Sequence, residues 1–313
     1  MSRGQALLDA LGDAAAGDDL ELAADEPMAR HTTLRLGGPA DLWARPRSLA
    51  ALQRLLARAS ARSIPTTFVG SGTNLLVRDG GLRGIVINLG HLSEVTRADP
   101  DGAPGEVEVL AGASTGKLLK ASLEWELGGL EFLGGVPGSV GGGLVMNAGT
   151  YLGEFTSVVT EVRSIRRDGD LVRRDHDACG FRYRASDLPR DEVVIGASLR
   201  LWPRPRAEIE ADVAGLRARR KAREPVGVAN SGSTFKNPPG DFAGRLIEAA
   251  GLKGTREGGA LVSPVHANWL VVERGLPCRS ADLLALIERV RATVLEVHGV
   301  ALETEVKILG EPE

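Results

Sequence analysis

The sequence predicts a mixed α/β chain with more than one domain and a ligand site lined by main chain. Three observations lead there. The chain has 313 residues, and at roughly 100–200 residues per domain that suggests two or three domains with a substantial core. Strand-like and helix-like patterns alternate along it. It also holds 40 glycines, well above the ~7% of average usage, and they are clustered between apolar segments, where they imply close backbone approach and positive φ.

Composition narrows the classes. Hydrophobic residues make up 43% and charged residues 25%, with a net charge of −3 from 38 basic and 41 acidic side chains. This is an ordinary soluble balance, without the basic footprint of a nucleic-acid binder. Cys179 and Cys278 supply no disulfide framework and no CxxC spacing, so a reducing, cytoplasmic compartment is expected. No run approaches the ~18 apolar residues of a membrane span, and no signal peptide is expected. Five histidines and two cysteines show no metal-ligand spacing, so no metal is expected.

In chain order, residues 5–16 read as a short amphipathic helix. His31 to Pro46 suggests two strands, one with Leu34 and Leu36 and one with Leu42 and Trp43, around a Gly37–Gly38–Pro39 turn. Ser48 to Ser60 is helical, with Leu49, Leu52, Leu55 and Leu56 on one face and Ser48 as N-cap. TTFVG and GIVINLG are strands, 96–106 is a turn, 107–112 a strand and 118–127 a helix. The next segment, 128–149, is too glycine-rich for a regular helix and too apolar for a solvated loop. Three strands follow between 158 and 201, then a charged helix from Arg206 to Arg223. The last domain reads as a strand (SGSTFKNP), a helix (FAGRLIEAAGL), strands at ALVS and NWLVV, a long helix with Ser280 as N-cap and Gly299 past its end, and a final strand, ETEVKILG.

Four motifs stand out. Val69 to Asn74 is a small-residue turn at a strand end, read either as a pyrophosphate cradle or as a tight structural turn. Leu75 stands where GxGxxG needs its third glycine, so a Rossmann site is not supported. Gly134 to Gly143 holds six glycines and a proline. Ordering it is entropically costly, and its apolar flanks argue against a floppy linker, so a flat cofactor packed on bare backbone suits it. Gly112 to Gly116 matches GxSxG between a strand and a helix, which would make Ser114 a hydrolase nucleophile. No oxyanion segment precedes it. Ser231 to Pro238 gathers hydroxyls, a cation and an amide, as either a capped turn or a polar pocket with a proton donor beside a cation.

Together the segments HTTLRLGGPA, VGSGTNLLVRDGGLRGIVI, GLEFLGGVPGSVGGGLVMNAG, FRYRASDL, GSTFKNPPG, AGRLIEAAGLKG, GGALVSPVHANWLVV and LETEVKILG resemble the UDP-N-acetylenolpyruvoylglucosamine reductase family. The resemblance runs from about His31 to Gly310. These are cytoplasmic flavoproteins of peptidoglycan precursor synthesis, and hence of cell wall biogenesis, cell shape and division. It implies an α+β chain with a vanillyl-alcohol-oxidase/PCMH-like FAD-binding fold. Two α/β subdomains, 1–90 and 91–205, would grip FAD, and a C-terminal α+β domain, 206–313, would bind substrate. Gly70, Ser71, Gly72, Thr73, Asn74, Leu75, Val136, Pro137, Gly138, Ser139, Gly142, Gly143 and Asn147 would contact FAD. Arg184, Ser233 and Glu305 would be the catalytic trio, and Tyr183, Arg184, Gly232, Ser233, Lys236, Asn237 and His266 would bind substrate. Ser139 replaces the family's commoner threonine, Glu257 stands where an aliphatic residue is usual, and the short run from Arg184 to Ser233 matches the form without an extra tyrosine-bearing loop.

The implied reaction passes hydride from NADPH to FAD and then to the methylene carbon of the enolpyruvyl ether of UDP-N-acetylglucosamine. Partners beyond these small molecules are not expected, whether membrane, nucleic acid or a second subunit. The second transfer leaves an enolate beside a carboxylate. The guanidinium of Arg184 suits that dianion, Ser233 would deliver the proton, and Glu305 would polarise the intermediate if burial keeps it protonated. The alternatives are another flavoprotein oxidase of the same fold, a serine hydrolase through Ser114, and a non-enzymatic nucleotide-binding module.

Overall fold

A computed structural model describes residues 1–15, 17–98 and 105–313. The turn expected over 96–106 therefore falls largely outside the described residues, as does Ala16 at the end of the first expected helix. Among the described residues the architecture is α+β, in two compact units. Unit one holds Met1–Asp25, Leu42–Ser71 and Gly84–Arg219; unit two holds Glu26–Asp41, Gly72–Arg83 and Arg220–Glu313.

Unit one begins with α1 (Arg3–Leu11), whose N-cap Ser2 accepts from the Gln5 amide. In α2 (Leu49–Ala61) the apolar stripe buries Leu52, Leu55 and Leu56, and the Ser48 hydroxyl accepts from the Ala51 amide at 3.0 Å. Helix α3 (Thr115–Glu124) starts earlier than expected because Ser114 caps it, accepting from the Lys117 amide at 3.0 Å. A five-stranded antiparallel sheet runs in the order Leu171–Asp175, Val159–Ile165, Val193–Arg200, Glu106–Leu110, Val95–Arg97. Its alternating residues Val107, Val109, Val162, Ala197 and Leu199 enter one core with Leu118, Leu130 and the edge-to-face pair Phe132–Phe155.

The segment thought too rich in glycine for a helix forms one short turn of it, α4 (Val140–Val145). Two local causes offset the low helix propensity of glycine. Ser139 caps the helix, and Phe155 fills the space where a side chain at 143 would sit. Helix α5 (Arg206–Arg223) agrees with the charge-rich pattern and buries only Ile209, Val213 and Leu216.

Unit two packs α6 (Ala243–Ala249) and α7 (Ser280–His298) in a core with Leu34, Leu36, Leu76, Phe235, Val262 and Leu270. A four-stranded antiparallel sheet orders Ala229–Asn230, Leu270–Val272, Ala260–Val262, Arg256–Glu257. The final strand Lys307–Leu309 runs parallel to Leu75–Val77.

Two expectations are corrected, and one strand is added. Leu34 and Leu36 are buried, but in a turn: the Arg35 amide donates to Thr32 O at 3.1 Å, the Thr32 hydroxyl donates to Leu36 O at 2.9 Å, and Arg35 has φ +57°. Such local bonds compete with a sheet ladder. Leu20–Pro27 is a strand the pattern did not reveal, because its burial does not alternate cleanly. Ser280 is the first residue of α7 and not its cap; the amides of Ser280 and Ala281 donate to the Asp79 carboxylate, both at 3.0 Å. Two donated backbone hydrogen bonds outweigh burial, the largest single influence, and hold the Asp79 carboxyl below its ordinary pKa.

Candidate functional site

In unit one, the two glycine motifs meet. Gly70 follows the strand Thr66–Phe68, and a Cβ built on it would come within 2.3 Å of the Ser139 hydroxyl oxygen. The Asn88 side chain steadies this turn, donating to the carbonyls of Val69 and Gly70, both at 2.9 Å. Thr115 steadies the other segment, its hydroxyl donating to Val136 O at 2.6 Å and its amide to Gly138 O at 3.0 Å. Gly138 has φ +136°, a conformation that side chains strain to adopt.

The amides have been parcelled out unevenly. Val140 N donates to Ala113 O, Gly141 N to Ala111 O and Gly142 N to the Ser139 hydroxyl. Among the described residues, no protein acceptor takes the amides of Gly70, Ser71, Gly138 or Ser139. Unpaired backbone donors on two touching, Cβ-poor segments fit the phosphates of a dinucleotide. Gly142 is exposed, and the nearest atom to a Cβ there is Ser139 Oγ at 3.4 Å, whereas Gly143 faces the core, where a Cβ would come within 2.3 Å of Phe155.

Asn147 behaves differently. It is wholly buried at φ +41°; its amide NH₂ donates to Arg182 O at 3.2 Å, and its side-chain oxygen accepts from the Thr156 amide at 2.9 Å. Arg182 and Ala185 exchange backbone hydrogen bonds at 3.0 Å each, closing a tight turn that carries Tyr183 and Arg184. Arg184 has φ +53°, donates from its guanidinium to Gly149 O at 3.1 Å and lies 5.1 Å from the Tyr183 ring centroid.

Unit two brings Ser233 and Glu305 onto neighbouring backbone. Phe235 bridges Thr304, Glu305 N donates to Thr234 O at 2.8 Å, and Lys236 N donates to Glu303 O at 2.8 Å. Here the strand expected over 231–238 is corrected: the strand is Ala229–Asn230, just before it, and only the Phe235 bridge remains within it, because Gly232 turns at φ +78° with its amide on the Asn230 side chain. Gly72, Thr73, Asn74 and Leu75 lie in this unit. Gly72 sits so close to His31 O that a Cβ would reach 1.9 Å. The Asn74 side chain donates to Glu305 O at 3.1 Å, and its carbonyl accepts from Lys307 N. Lys236 pairs with Glu303 at 2.6 Å, and the Asn237 side chain accepts from the Ala243 amide at 3.0 Å at the start of α6. His266 Nδ1 accepts from the Asn268 amide at 3.2 Å; burial, then the Lys253 charge, lowers its pKa.

Sequence reading missed Asn268. It is buried, donates to Phe235 O at 2.8 Å, accepts from Phe235 N at 2.9 Å and offers its own carbonyl to Thr234 N at 2.8 Å, clamping the segment that bears Ser233. The available signal was an amide side chain inside the apolar run NWLVV, since a buried amide demands partners. Ser114 has φ −71° and ψ 146°, serves as a helix cap and lacks the strained backbone of a nucleophile elbow. Burial pushes the Cys179 thiol up to about 11, away from nucleophilic use. No group of three or more metal-binding side chains occurs among the described residues.

Comparison with known proteins gives two domain matches. Residues 40–175 match the FAD binding domain family, and residues 224–309 match the family described as UDP-N-acetylenolpyruvoylglucosamine reductase, C-terminal domain. The UDP-N-acetylenolpyruvoylglucosamine reductase of Geobacter metallireducens is 44% identical over 291 residues, covering 93% of this chain and 95% of that protein. The Moorella thermoacetica protein of the same name is 41% identical over 300 residues, covering 96% and 97%. Among solved structures, UDP-N-acetylenolpyruvylglucosamine reductase from Thermus caldophilus is 34% identical with a TM-score of 0.77, covering 92% of this chain and 98% of that one. Berberine bridge enzyme, 16% identical with a TM-score of 0.50 over 66% of this chain and 45% of that one, shares the fold alone.

Proposed function

This chain belongs to the UDP-N-acetylenolpyruvoylglucosamine reductase family and is an FAD-dependent oxidoreductase of the vanillyl-alcohol-oxidase/PCMH-like α+β fold, and from that premise we propose that it reduces UDP-N-acetylglucosamine enolpyruvate to UDP-N-acetylmuramate with NADPH. The reaction serves peptidoglycan precursor synthesis in the cytoplasm, with consequences for cell wall, cell shape and division, and the working form is a monomer. The family names of the relatives support the substrate. Two FAD-gripping subdomains, 1–90 and 91–205, precede a substrate-binding domain, 206–313, the last supported by the C-terminal domain match over 224–309.

The bare-backbone segments around Gly70 and Gly138, with their unpaired amides, suit FAD phosphates. Bound there, FAD supplies the hydride relay between nicotinamide and substrate. The protein's own residues do the rest. Arg184 offers a planar fork of donors to the substrate carboxylate and to the enolate charge that develops next to it. Ser233 gives its hydroxyl proton to the carbanionic carbon; an alcohol's weak acidity suffices against so strong a base. Glu305, if protonated, hydrogen-bonds the intermediate; ionised, it would repel it. Lys236, Asn237, Tyr183, Gly232 and His266 line the substrate's remaining length.

One observation carries the residue assignment: the backbone pairing of Thr234 with Glu305 sets Ser233 and Glu305 on adjacent segments although 72 positions separate them, 305 minus 233. The test is optical. Purified protein is expected to show flavin absorbance, to bleach with NADPH in the absence of oxygen, and to regain colour only when the enolpyruvyl sugar nucleotide is added. Colourless protein that binds no added FAD, or flavin bleached by an alcohol or hydroxy acid and not recoloured by the enolpyruvyl sugar nucleotide, would count against the reading.

A further inference from the structure

We infer that Asn147 is a positioning residue for Arg184, acting through protein bonds instead of through the cofactor. This rests on the proposed role of Arg184 and deepens it. Arg184 occupies a left-handed backbone conformation in the middle of a four-residue turn, which few local forces favour. Something must over-determine it. The Asn147 amide NH₂ holds the first carbonyl of that turn, Arg182 O, at 3.2 Å. Two residues on, Gly149 O takes the Arg184 guanidinium at 3.1 Å. The turn that carries Arg184 and the head of Arg184 are thus tied to one three-residue stretch, Asn147–Gly149.

The anchor is itself anchored. Asn147 Oδ1 accepts from the Thr156 amide at 2.9 Å. The His176 Nε2 lies 2.9 Å from the Thr156 hydroxyl and 3.1 Å from its carbonyl, while its ring lies tilted beside that of Phe181, centroids 5.9 Å apart, at the entrance to the turn. Asn147 also sits at φ +41°, a region asparagine tolerates better than most residues. At 0% exposure its side chain bonds Arg182 O and Thr156 N, and its own amide donates to Leu144 O at 3.1 Å, so the residue is held by protein at three points.

Half-reactions of the FAD-loaded enzyme, read with hydrogen exchange, test this. Asn147→Gly keeps the left-handed backbone and removes both side-chain bonds. Flavin stays bound, and reoxidation by substrate slows about 10²-fold, the usual effect of ångström-scale misplacement. Asn147→Asp keeps the acceptor for Thr156 N and loses the donor to Arg182 O; it slows reoxidation about tenfold. In exchange, the amides of Arg182 and Ala185 lose protection in both variants, and that of Thr156 only in Asn147→Gly. Should Asn147→Gly not fold, Asn147→Asp carries the same comparison. Combined with Arg184→Ala, neither variant slows reoxidation beyond Arg184→Ala alone. Additive slowing, or loss of flavin with exchange unchanged, overturns the inference. An Arg184→Ala enzyme with undiminished reoxidation instead overturns the assignment of Arg184 itself.

Discussion

The segment from Gly134 to Asn147 and the segment from Gly232 to Asn237 both carry residues assigned to the reaction, yet different atoms hold them. The first is built almost wholly from main chain. Its turns are closed by carbonyls of Ala111, Ala113 and Val136, and several of its positions have no room for a Cβ. The second adds side-chain amides to its backbone pairing with Glu303 and Glu305: that of Asn268 grips both the amide and the carbonyl of Phe235, and that of Asn74 grips Glu305 O. A surface made of backbone suits a ligand recognised by shape and phosphate charge. A surface made of ordinary residues leaves Ser233 and Lys236 to present functional groups. The first should therefore fail when atoms are added, the second when atoms are removed.

The largest effect is expected in the second segment. Ser233→Ala should slow flavin reoxidation by substrate by about 10²–10⁴-fold while NADPH still reduces the flavin, as stopped-flow absorbance would read. Equal loss in both half-reactions would remove the proton-donor role. Next comes the clamp: Asn268→Ala leaves the buried amide and carbonyl of Phe235 unpaired, at a cost of about 2–4 kcal/mol, measurable by urea unfolding.

The first segment contains its own control. Gly143→Ala drives a methyl into Phe155 and should destabilise by about 1–3 kcal/mol. Gly142→Ala meets only open space beyond Ser139 and should leave the apo protein as stable or up to about 1 kcal/mol more so, because alanine is the better helix former. FAD titration of that variant should show weaker binding. Equal stability losses at 142 and 143 would erase the distinction between a core-facing and an exposed glycine.

The smallest effect lies outside both segments, in the sheet that leads to the Arg184 turn. Glu192 is buried, accepts two hydrogen bonds from Arg174 at 2.6 and 2.8 Å and a third from the Ser164 hydroxyl. The Arg174 hydrogen bonds, opposed by burial, hold its carboxyl below the ordinary value of 4.5. A depressed carboxylate pKa contributes stability that is present above the unfolded value and lost as pH falls through the folded one. Thermal melts should thus show wild type losing stability below about pH 4.5 more steeply than Glu192→Gln. Parallel pH curves would deny the pair that role.

Much of this was legible beforehand. Ser48 announced α2, the charged run announced α5, and six glycines in ten residues announced a surface of backbone. Those features are local: a cap bonds three residues ahead, a helix repeats every 3.6, and glycine acts on its own φ. Other residues misled. Leu34 and Leu36 alternate like a strand and are buried like one, but a hydroxyl at Thr32 closes a turn first. Ser280 looked like a cap, while the carboxylate of Asp79, 201 residues away, does the capping. Asn147 ended a glycine-rich run read for its backbone, and its side chain is bonded within the protein.

Sequence by itself determined the main helices, the backbone-lined character of one segment, and the family, since each depends on residue identity and short spacing. Only tertiary structure decided which distant groups meet: Gly70 with Ser139, Thr234 with Glu305, Asn147 with the turn of Arg184. The reason is physical. Long-range hydrogen bonds form only after the burial of apolar faces has closed the loops between them, and a linear pattern records which residues will be buried but not which polar partner each buried group will find.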